Sequence, residues 1–315
     1  MKIAIVGDLH IAPVPSNRID DYFNVALDKI NQIAIENDVV IFLGDIFSKP
    51  KVDKHFENTL IDYLWQCKTD YGTKFYTIIG NHDVQSELET ELHNSSLGTL
   101  AAARAMDIIL PGVRTTFIDG QFTYNFNTVP VKFRDVKSFL DKQKYDSNDI
   151  LLIHHEYETG TNRLTYDDLK GLGCRMVFFG HDHCPLPEGR ILYPELTVYR
   201  SGSLMRNIAQ DYNFTRQVYY YVLENGKVSC KAIKQQDAKD IFTIESYTRQ
   251  NYYKKQFTES IDELIEKYTN NVSKQDKFSI KTILEELNAP ENVVDYIKKK
   301  YESIGEMFVY GGGSL

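Results

Sequence analysis

The sequence is poor in cysteine, and the four cysteines it has do not form a framework. Cys67, Cys174, Cys184 and Cys230 include no C-x-x-C pair. Such spacing is typical of reduced thiols rather than of a disulfide scaffold. Cys184 directly follows His183 and is therefore either a metal ligand or a small buried side chain. We favour the second role, which is the more common one for a free cysteine.

The sequence also lacks long apolar runs. None approaches the roughly 18 residues that a membrane span requires. The apolar run at the N-terminus is too short for a signal peptide and reaches Asp8 without a small-residue cleavage site. We therefore expect a cytoplasmic protein without a membrane partner.

Acidic residues outnumber basic residues by 44 to 36, so the 315 residues carry a net charge of -8. This balance disfavours a protein that coats nucleic acid by charge alone, because such binding depends on Lys and Arg releasing counterions. A carboxylate-rich metal site would also make the charge negative, and bound cations would offset it. The length allows one large domain with a smaller appendage.

Five short apolar runs are each followed by polar side chains suited to metal or acid–base chemistry. The runs are residues 2–6, 39–43, 74–79, 150–153 and 175–179. The groups that follow are Asp8 and His10; Asp45; Asn81, His82 and Asp83; His154 and His155; and His181 and His183. Runs of this kind are typical of buried strands, and the first three are separated by enough residues for crossover helices. Ligands bind at the carboxyl ends of parallel strands, so we expect one common site.

Two further patterns concern the helices and the second half of the chain. Helical spacing predicts one helix with Ile19, Phe23, Ala26, Ile30 and Ile33 on its inner face, and another with Phe56, Leu60, Leu64 and Cys67. Asp119-Gly120 and Asn225-Gly226 are hairpin signals. We therefore predict a second, mainly antiparallel sheet packed against the first.

The chain changes character beyond the predicted catalytic domain, residues 1–240. Residues 241–257 lack periodicity and are predicted to be a linker. Residues 258–305 contain three short helical patterns, each too short to be stable alone, so they must pack together or on a partner. Residues 306–315 are predicted to be a flexible tail, either native or left from cloning.

The polar groups at the strand ends include seven candidate metal ligands. Carboxylate oxygens combined with imidazole nitrogens suit manganese, iron or zinc, whereas calcium and magnesium favour all-oxygen sites. Seven ligands are too many for one ion, and a dinuclear site with one shared carboxylate would use them all. The candidates are Asp8, His10, Asp45, Asn81, His154, His181 and His183.

Taken in order, these motifs resemble the signature of the calcineurin-like metallophosphoesterase superfamily, which runs D-x-H, G-D, G-N-H-[DE], H and G-H-x-H. The resemblance implies an α/β fold in which two sheets form an αββα sandwich, here with a small C-terminal helical appendage. It also implies two divalent metal ions and the hydrolysis of a phosphoester.

The same resemblance implies a role for each motif residue. It places Asp8, His10 and His183 on one metal, and Asn81, His154 and His181 on the other. Asp45 would bridge the two ions. His82 would be the acid that protonates the leaving oxygen, with Asp83 holding its ring. His155 is the alternative to His154 as a ligand.

Within the superfamily, the chain is similar to the SbcD-type nuclease subunits of double-strand-break repair, in the small form found in tailed phages. The resemblance rests on residues 7–10 and 44–47, on the Arg-Ser-Gly-Ser-Leu-Met-Arg segment at residues 200–206, and on the helical C-terminus. It implies a Mn²⁺-dependent DNA exonuclease or endonuclease that acts in recombination and repair. It also implies a homodimer whose C-terminal helices clasp the coiled coil of an SbcC-type ATPase subunit.

The chain departs from this pattern at Ser48, where many SbcD-type sequences have a histidine that helps to position DNA. The alternative function is a stand-alone metallophosphodiesterase or phosphatase for nucleotides or phosphoproteins; a non-enzymatic scaffold is a third. For Arg200, Ser203 and Arg206, both phosphate contact and surface polarity around a turn remain open.

Overall fold

Two mixed sheets carry the fold in a computed structural model that describes residues 1–12, 18–85, 89–131, 133–158, 163–192, 196–205 and 217–243. These residues all lie in the first of two compact units, Met1–Gln250. The predicted linker from residue 244 onward, the C-terminal helices and the tail lie outside the described residues. Within the described ranges, no helix is long and apolar enough to cross a membrane.

The strands are β1 (Ile3–Val6), β2 (Val39–Phe42), β3 (Lys74–Thr77), β4 (Asp107–Ile108), β5 (Thr115–Asp119), β6 (Phe122–Thr128), β7 (Asp149–His154), β8 (Met176–Gly180), β9 (Leu186–Leu192), β10 (Leu196–Arg200), β11 (Gln217–Glu224) and β12 (Lys227–Lys234). The helices are α1 (Tyr22–Glu36), α2 (Lys54–Tyr71), α3 (Ser96–Ala102), α4 (Phe133–Leu140), α5 (Tyr166–Leu169) and α6 (Ala238–Ile241), with a 3₁₀ helix at Glu89–Asn94. The first sheet has the order β12-β11-β1-β2-β3-β4, and the second β5-β6-β7-β8-β10-β9.

The central strands β1 and β2 of the first sheet are buried on both faces. In β1, Ala4 and Val6 pack in the cluster that includes α1 and α2, whereas Ile3 and Ile5 pack in the cluster between the two sheets. Strands covered on both sides have continuous rather than alternating apolar sequences. This explains why the motif-bearing strands are unbroken apolar runs.

The layers confirm the predicted αββα sandwich. Helices α1, α2 and α3 contribute to the core on the outer face of the first sheet. On the second sheet, Leu151 and Val177 pack with Val136 of α4 and Leu169 of α5. The two sheets therefore face each other across a shared apolar layer, with helices on both outer faces.

The second sheet differs from its prediction. Strands β6, β7, β8 and β10 are mutually parallel, and only the edge strands β5 and β9 are antiparallel to their neighbours. The Asp119-Gly120 hairpin does connect β5 and β6. The prediction of a mainly antiparallel sheet was wrong. A hairpin signal identifies only two strands joined by a tight turn, and it says nothing about strands joined by longer crossover connections, which pair in parallel.

The Asn225-Gly226 hairpin joins β11 and β12, but it extends the first sheet, with β11 antiparallel to β1. The sequence of β11 explains why this strand lies between β1 and β12 in the first sheet. Tyr221 packs between the sheets, while Tyr220 and Val222 pack toward α1 and α2. A strand that is apolar on both faces belongs inside a sheet, and the largely exposed β12 forms the edge.

The first helix begins later than the apolar spacing predicted. Asp21 is the N-cap of α1, and its side chain accepts a hydrogen bond from the backbone N–H of Asn24. Ile19 precedes this cap and is 64% exposed, so its assignment to the inner face was wrong. A carboxylate cap competes effectively with one apolar residue in deciding where a helix starts.

Candidate dinuclear metal centre

The five motif-bearing strand ends meet where the two sheets face each other. Strands β1, β2 and β3 come from the first sheet, and β7 and β8 from the second. His154, at the end of β7, has its Nδ1 2.6 Å from the carbonyl oxygen of Leu43, which follows β2. The backbone N–H of His181 donates to the Asp8 carboxylate at 3.1 Å. The common site is therefore built across two sheets rather than along one.

Three groups of ligand atoms, each within 4.8 Å of one another, could hold metal ions in the described part of the chain. They are Asp8 with His10 and His183, His10 with Asp45 and His82, and Asp45 with His154 and His181. Because neighbouring groups share His10 or Asp45, they form one continuous cluster. The amide oxygen of Asn81 joins it, 2.9 Å from both His154 Nε2 and His181 Nδ1. All seven candidate ligands are thus brought together.

Asp45 lies between the two outer groups. Its Oδ2 is 3.6 Å from His10 Nε2 and 3.2 Å from His154 Nε2. On the first side, His10 Nε2 lies 3.1 Å from His183 Nε2. A single carboxylate oxygen that faces imidazoles of both groups has the placement a bridging ligand needs.

Burial sets the protonation of the cluster. It raises the pKa of Asp8 to about 6 and lowers the pKa of His10 to about 3 and of His181 to about 4. Burial by itself raises the pKa of Asp45, but the charge and hydrogen bond of His154, the charge of His10 and the His82 backbone N–H together outweigh it and hold that pKa below its usual range. Neutral imidazoles at His10 and His181 are in the form that binds metal. At His154, burial lowers the pKa but the charges of Asp45 and Asp8 raise it to about 10, so a bound metal would displace a proton there.

His154, rather than His155, belongs to this cluster. Among the described residues, the groups of converging ligand atoms include His154 and not its neighbour. The Leu43 carbonyl accepts from Nδ1 of His154, which leaves Nε2 directed at Asp45 and Asn81. Hydrogen bonding through one ring nitrogen is the usual way a ligating histidine is oriented.

Backbone strain also marks the site. His10, Asp45 and His181 have φ values of 52°, 50° and 75°, in the left-handed region that non-glycine residues rarely adopt. Each such residue costs roughly 1 to 3 kcal/mol and persists only where its surroundings hold it. Nothing in the local sequence signalled this strain, because none of the three is glycine.

The Ser-Gly-Ser segment, residues 201–203, packs against the loop after β1 that carries Asp8 and His10. A Cβ at Gly7 would lie 1.8 Å from the carbonyl oxygen of Gly202, so the two backbones are in contact. The N–H of Leu204 donates to the Asp8 carbonyl at 2.9 Å, and the buried Ser203 has its Oγ 3.1 Å from the same oxygen. Ser203 therefore supports Asp8, which neither earlier interpretation anticipated.

Arg200 is half-buried, and its guanidinium pairs with Asp182, the residue between His181 and His183. This contact supports the last motif rather than forming a surface turn. Arg206 lies outside the described residues. Cys184 is half-buried rather than buried, and burial raises the pKa of its thiol.

Asp83 does not hold the ring of His82, and that prediction was wrong. The Asp83 carboxylate accepts backbone N–H groups of Asp45 and Gly80, both at 2.9 Å. The Nδ1 of His82 instead lies 3.0 Å from the carbonyl oxygen of Ser48. The family resemblance implied the pairing, but the loop turns the two side chains apart: Asp83 is buried and His82 exposed.

One supporting residue was missed from the sequence. The buried hydroxyl of Tyr22, on α1, lies 2.9 Å from the carbonyl oxygen of Leu9 and 3.0 Å from that of His10. It thereby holds the strained turn that carries His10. No motif could have identified it, because its partners are backbone atoms distant in sequence.

Two facing mixed sheets with carboxylate, amide and imidazole groups gathered at their strand ends define a metallohydrolase type of architecture. Residues 1–185 match the calcineurin-like phosphoesterase family, and the chain belongs to this family. A comparison with curated proteins found no match.

Solved structures to which this chain is similar include a hypothetical protein from Thermus thermophilus (14% identity, covering 75% of this chain and 100% of the other, TM-score 0.43). A second is GAP50, the anchor in the inner membrane complex of Plasmodium (16% identity, 78% of this chain and 86% of the other, TM-score 0.46). A third is a hypothetical protein from Pyrococcus horikoshii (11% identity, 81% and 93%, TM-score 0.38). Identities this low carry no functional assignment.

Proposed function

We propose that the protein is a two-metal-dependent phosphodiester hydrolase that cleaves DNA as the nuclease subunit of an SbcCD-like recombination and repair complex. The observation that carries the hydrolase proposal is the position of Asp45, whose Oδ2 faces His10 on one side and His154 on the other. A shared carboxylate between two ligand groups is the arrangement used by two-metal phosphoesterases.

The residues present fit a pair of divalent cations. Buried carboxylates and imidazoles lie close together, with the Nε2 atoms of His10 and His183 3.1 Å apart. Asp8, His10 and His183 would hold one ion, Asn81, His154 and His181 the other, and Asp45 both. This mixed oxygen and nitrogen set suits Mn²⁺, which we propose as the metal. Two such ions would offset phosphodiester charge and lower the pKa of water.

His82 is the proposed general acid. It is exposed at the rim of the cluster, with its ring centroid 5.1 Å from that of the buried His10. The Ser48 carbonyl fixes one edge of the ring through Nδ1, which leaves Nε2 available to a substrate. From this position the imidazole would give a proton to the leaving oxygen.

DNA as the substrate is supported by the SbcD-like motifs at residues 7–10, 44–47 and 200–206. We propose that residues 258–305 dock on the coiled coil of an SbcC-type ATPase within a dimeric, cytoplasmic complex. A chain truncated after Gln256 would then retain hydrolysis of a small phosphodiester but lose the ATPase. Equal recovery of truncated and full-length chains in a pull-down would exclude this docking role.

The second candidate function is a stand-alone phosphodiesterase or phosphatase for nucleotides or phosphoproteins. Ser48 favours it, because this position carries a DNA-positioning histidine in many SbcD-type sequences. Here it is the backbone carbonyl of Ser48 that contacts His82.

The deciding experiment compares labelled duplex DNA with a chromogenic phosphodiester, each with Mn²⁺ and with EDTA. The nuclease proposal expects Mn²⁺-dependent cleavage of both substrates, stimulated on duplex DNA by an SbcC-type ATPase with ATP. Cleavage of the small substrate alone, with or without the ATPase, would favour the second candidate. His82→Ala serves as the control for contaminating nucleases.

A further inference from the structure

The carboxylate of Asp83 binds the backbone of two loops at once. It accepts the N–H of Gly80 in its own loop at 2.9 Å. Across the site, it accepts the N–H of Asp45 at 2.9 Å and that of Phe47 at 3.3 Å, both in the loop after β2. Asp83 is only 1% exposed, so these bonds are shielded from water.

The contact is reciprocal and closely packed. The Asp45 carboxylate accepts the backbone N–H of His82 at 2.8 Å through Oδ1. A Cβ on Gly80 would lie 2.1 Å from that same Oδ1, so a side chain there would displace the carboxylate. The two loops therefore hold each other in one arrangement.

This arrangement matters because Asp45 has a φ of 50°. A non-glycine residue keeps such a conformation only when neighbouring groups hold it. The Asp83 carboxylate accepts a hydrogen bond from the backbone N–H of this same residue. With Oδ1 engaged by His82, the Asp45 carboxylate has its Oδ2 left to face His10 and His154.

We propose that Asp83 is a positioning residue for the metal centre, which holds the loop of Asp45 so that one carboxylate faces both ligand groups. It acts through Asp45 and not through the ring of His82. The inference rests on the metal-site part of the proposed function and is independent of whether the substrate is DNA.

The test compares full-length wild type with Asp83→Asn and with Asp149→Asn as the matched control. Asp149 is equally buried at 1% and accepts the N–H of Asp146, but it begins β7, at the opposite end of the strand from His154. Mn²⁺ binding is measured by calorimetry, and coupling between bound ions by electron paramagnetic resonance. The pH profile for a small phosphodiester is recorded with each variant.

We expect Asp83→Asn to weaken Mn²⁺ binding by about 10 to 100-fold, as for other groups that orient ligands. The spin-coupled dimanganese signal should weaken, and the pH profile of the residual activity should match that of wild type. Asp149→Asn should retain wild-type binding and coupling. Wild-type Mn²⁺ affinity and coupling in Asp83→Asn would overturn the proposal. A displaced pH profile in the same variant would then indicate that Asp83 acts on the ring of His82.

A second measurement uses the wild type and does not depend on how a variant folds. In the metal-free protein, the amide protons of Gly80, Asp45 and Phe47 should exchange slowly with solvent in hydrogen-exchange NMR. Exchange at the rate of an open loop would overturn the proposal. Failure to cleave DNA would count against the proposed substrate but would leave both of these results unchanged.

Discussion

The floor and the rim of the metal centre differ sharply in burial. Asp8, Asp45 and Asp83 form the floor, each 1% exposed, while Asn81 and His82 at the rim are exposed. Floor residues contact backbone and imidazoles, so their geometry is fixed by the protein. Rim residues face solvent and can meet a substrate. The difference separates the buried carboxylates that build the site from His82, which can act on what enters it, while Asn81 is a ligand candidate at the boundary between them.

Removing the shared floor carboxylate should have the largest effect. We expect Asp45→Ala to lose the dinuclear pair and reduce hydrolysis to the level measured with EDTA, because both ligand groups lose a common member. Metal analysis by mass spectrometry provides the measurement. The exposed Asp62→Ala serves as the control, and two ions still bound per Asp45→Ala chain would break the distinction between floor and rim.

Removing the rim histidine should affect chemistry without affecting metal. His82→Ala is expected to bind two ions as in wild type and to lose about 10² to 10⁴-fold in kcat, the typical contribution of a general acid. His55→Ala, an exposed histidine on α2, is the matched control. Loss of metal from His82→Ala would instead make His82 a ligand, since it also lies near His10 and Asp45.

The packing beneath the floor is tested by Gly7→Ala. The new methyl would lie 1.8 Å from the Gly202 carbonyl oxygen, and backbone must move to admit it. We expect a loss of about 1 to 3 kcal/mol in unfolding free energy, together with weaker metal binding. Chemical denaturation measures the first quantity. The control is Gly72→Ala, because nothing lies within 4 Å of a Cβ at this left-handed position. Its unfolding free energy should fall only by the left-handed strain of about 1 to 2 kcal/mol, and its metal binding should be unchanged.

The smallest effect is expected for Tyr22→Phe, which removes the hydroxyl close to the carbonyls of Leu9 and His10. The free energy of unfolding, measured by chemical denaturation, should fall by about 0.5 to 1.5 kcal/mol, which is the net contribution of a typical hydrogen bond. Metal affinity should fall slightly because the turn carrying His10 is less firmly held. The partly exposed Tyr71→Phe should change neither quantity.

Some elements were predictable because their signals are local. The run before Asp8 and the run before Asp45 are both buried strands, and the Asp119-Gly120 hairpin forms where its sequence indicated. The place of β11 was not predictable in the same way. Its turn is encoded by Asn225-Gly226, but its pairing with β1 joins residues 214 to 220 positions apart in the chain.

The sequence alone determined the donor chemistry and the seven residues that could bind metal, since both depend on residue type and on position after apolar runs. The αββα class followed from the resemblance of the ordered motifs to the superfamily signature. Only the tertiary structure decided that three motifs come from one sheet and two from the other. It also decided that Asp83 binds the Asp45 loop while His82 contacts Ser48. Backbone hydrogen bonds between loops and left-handed turns depend on which loops come into contact in the folded chain. The spacing of motifs along the sequence does not specify those contacts.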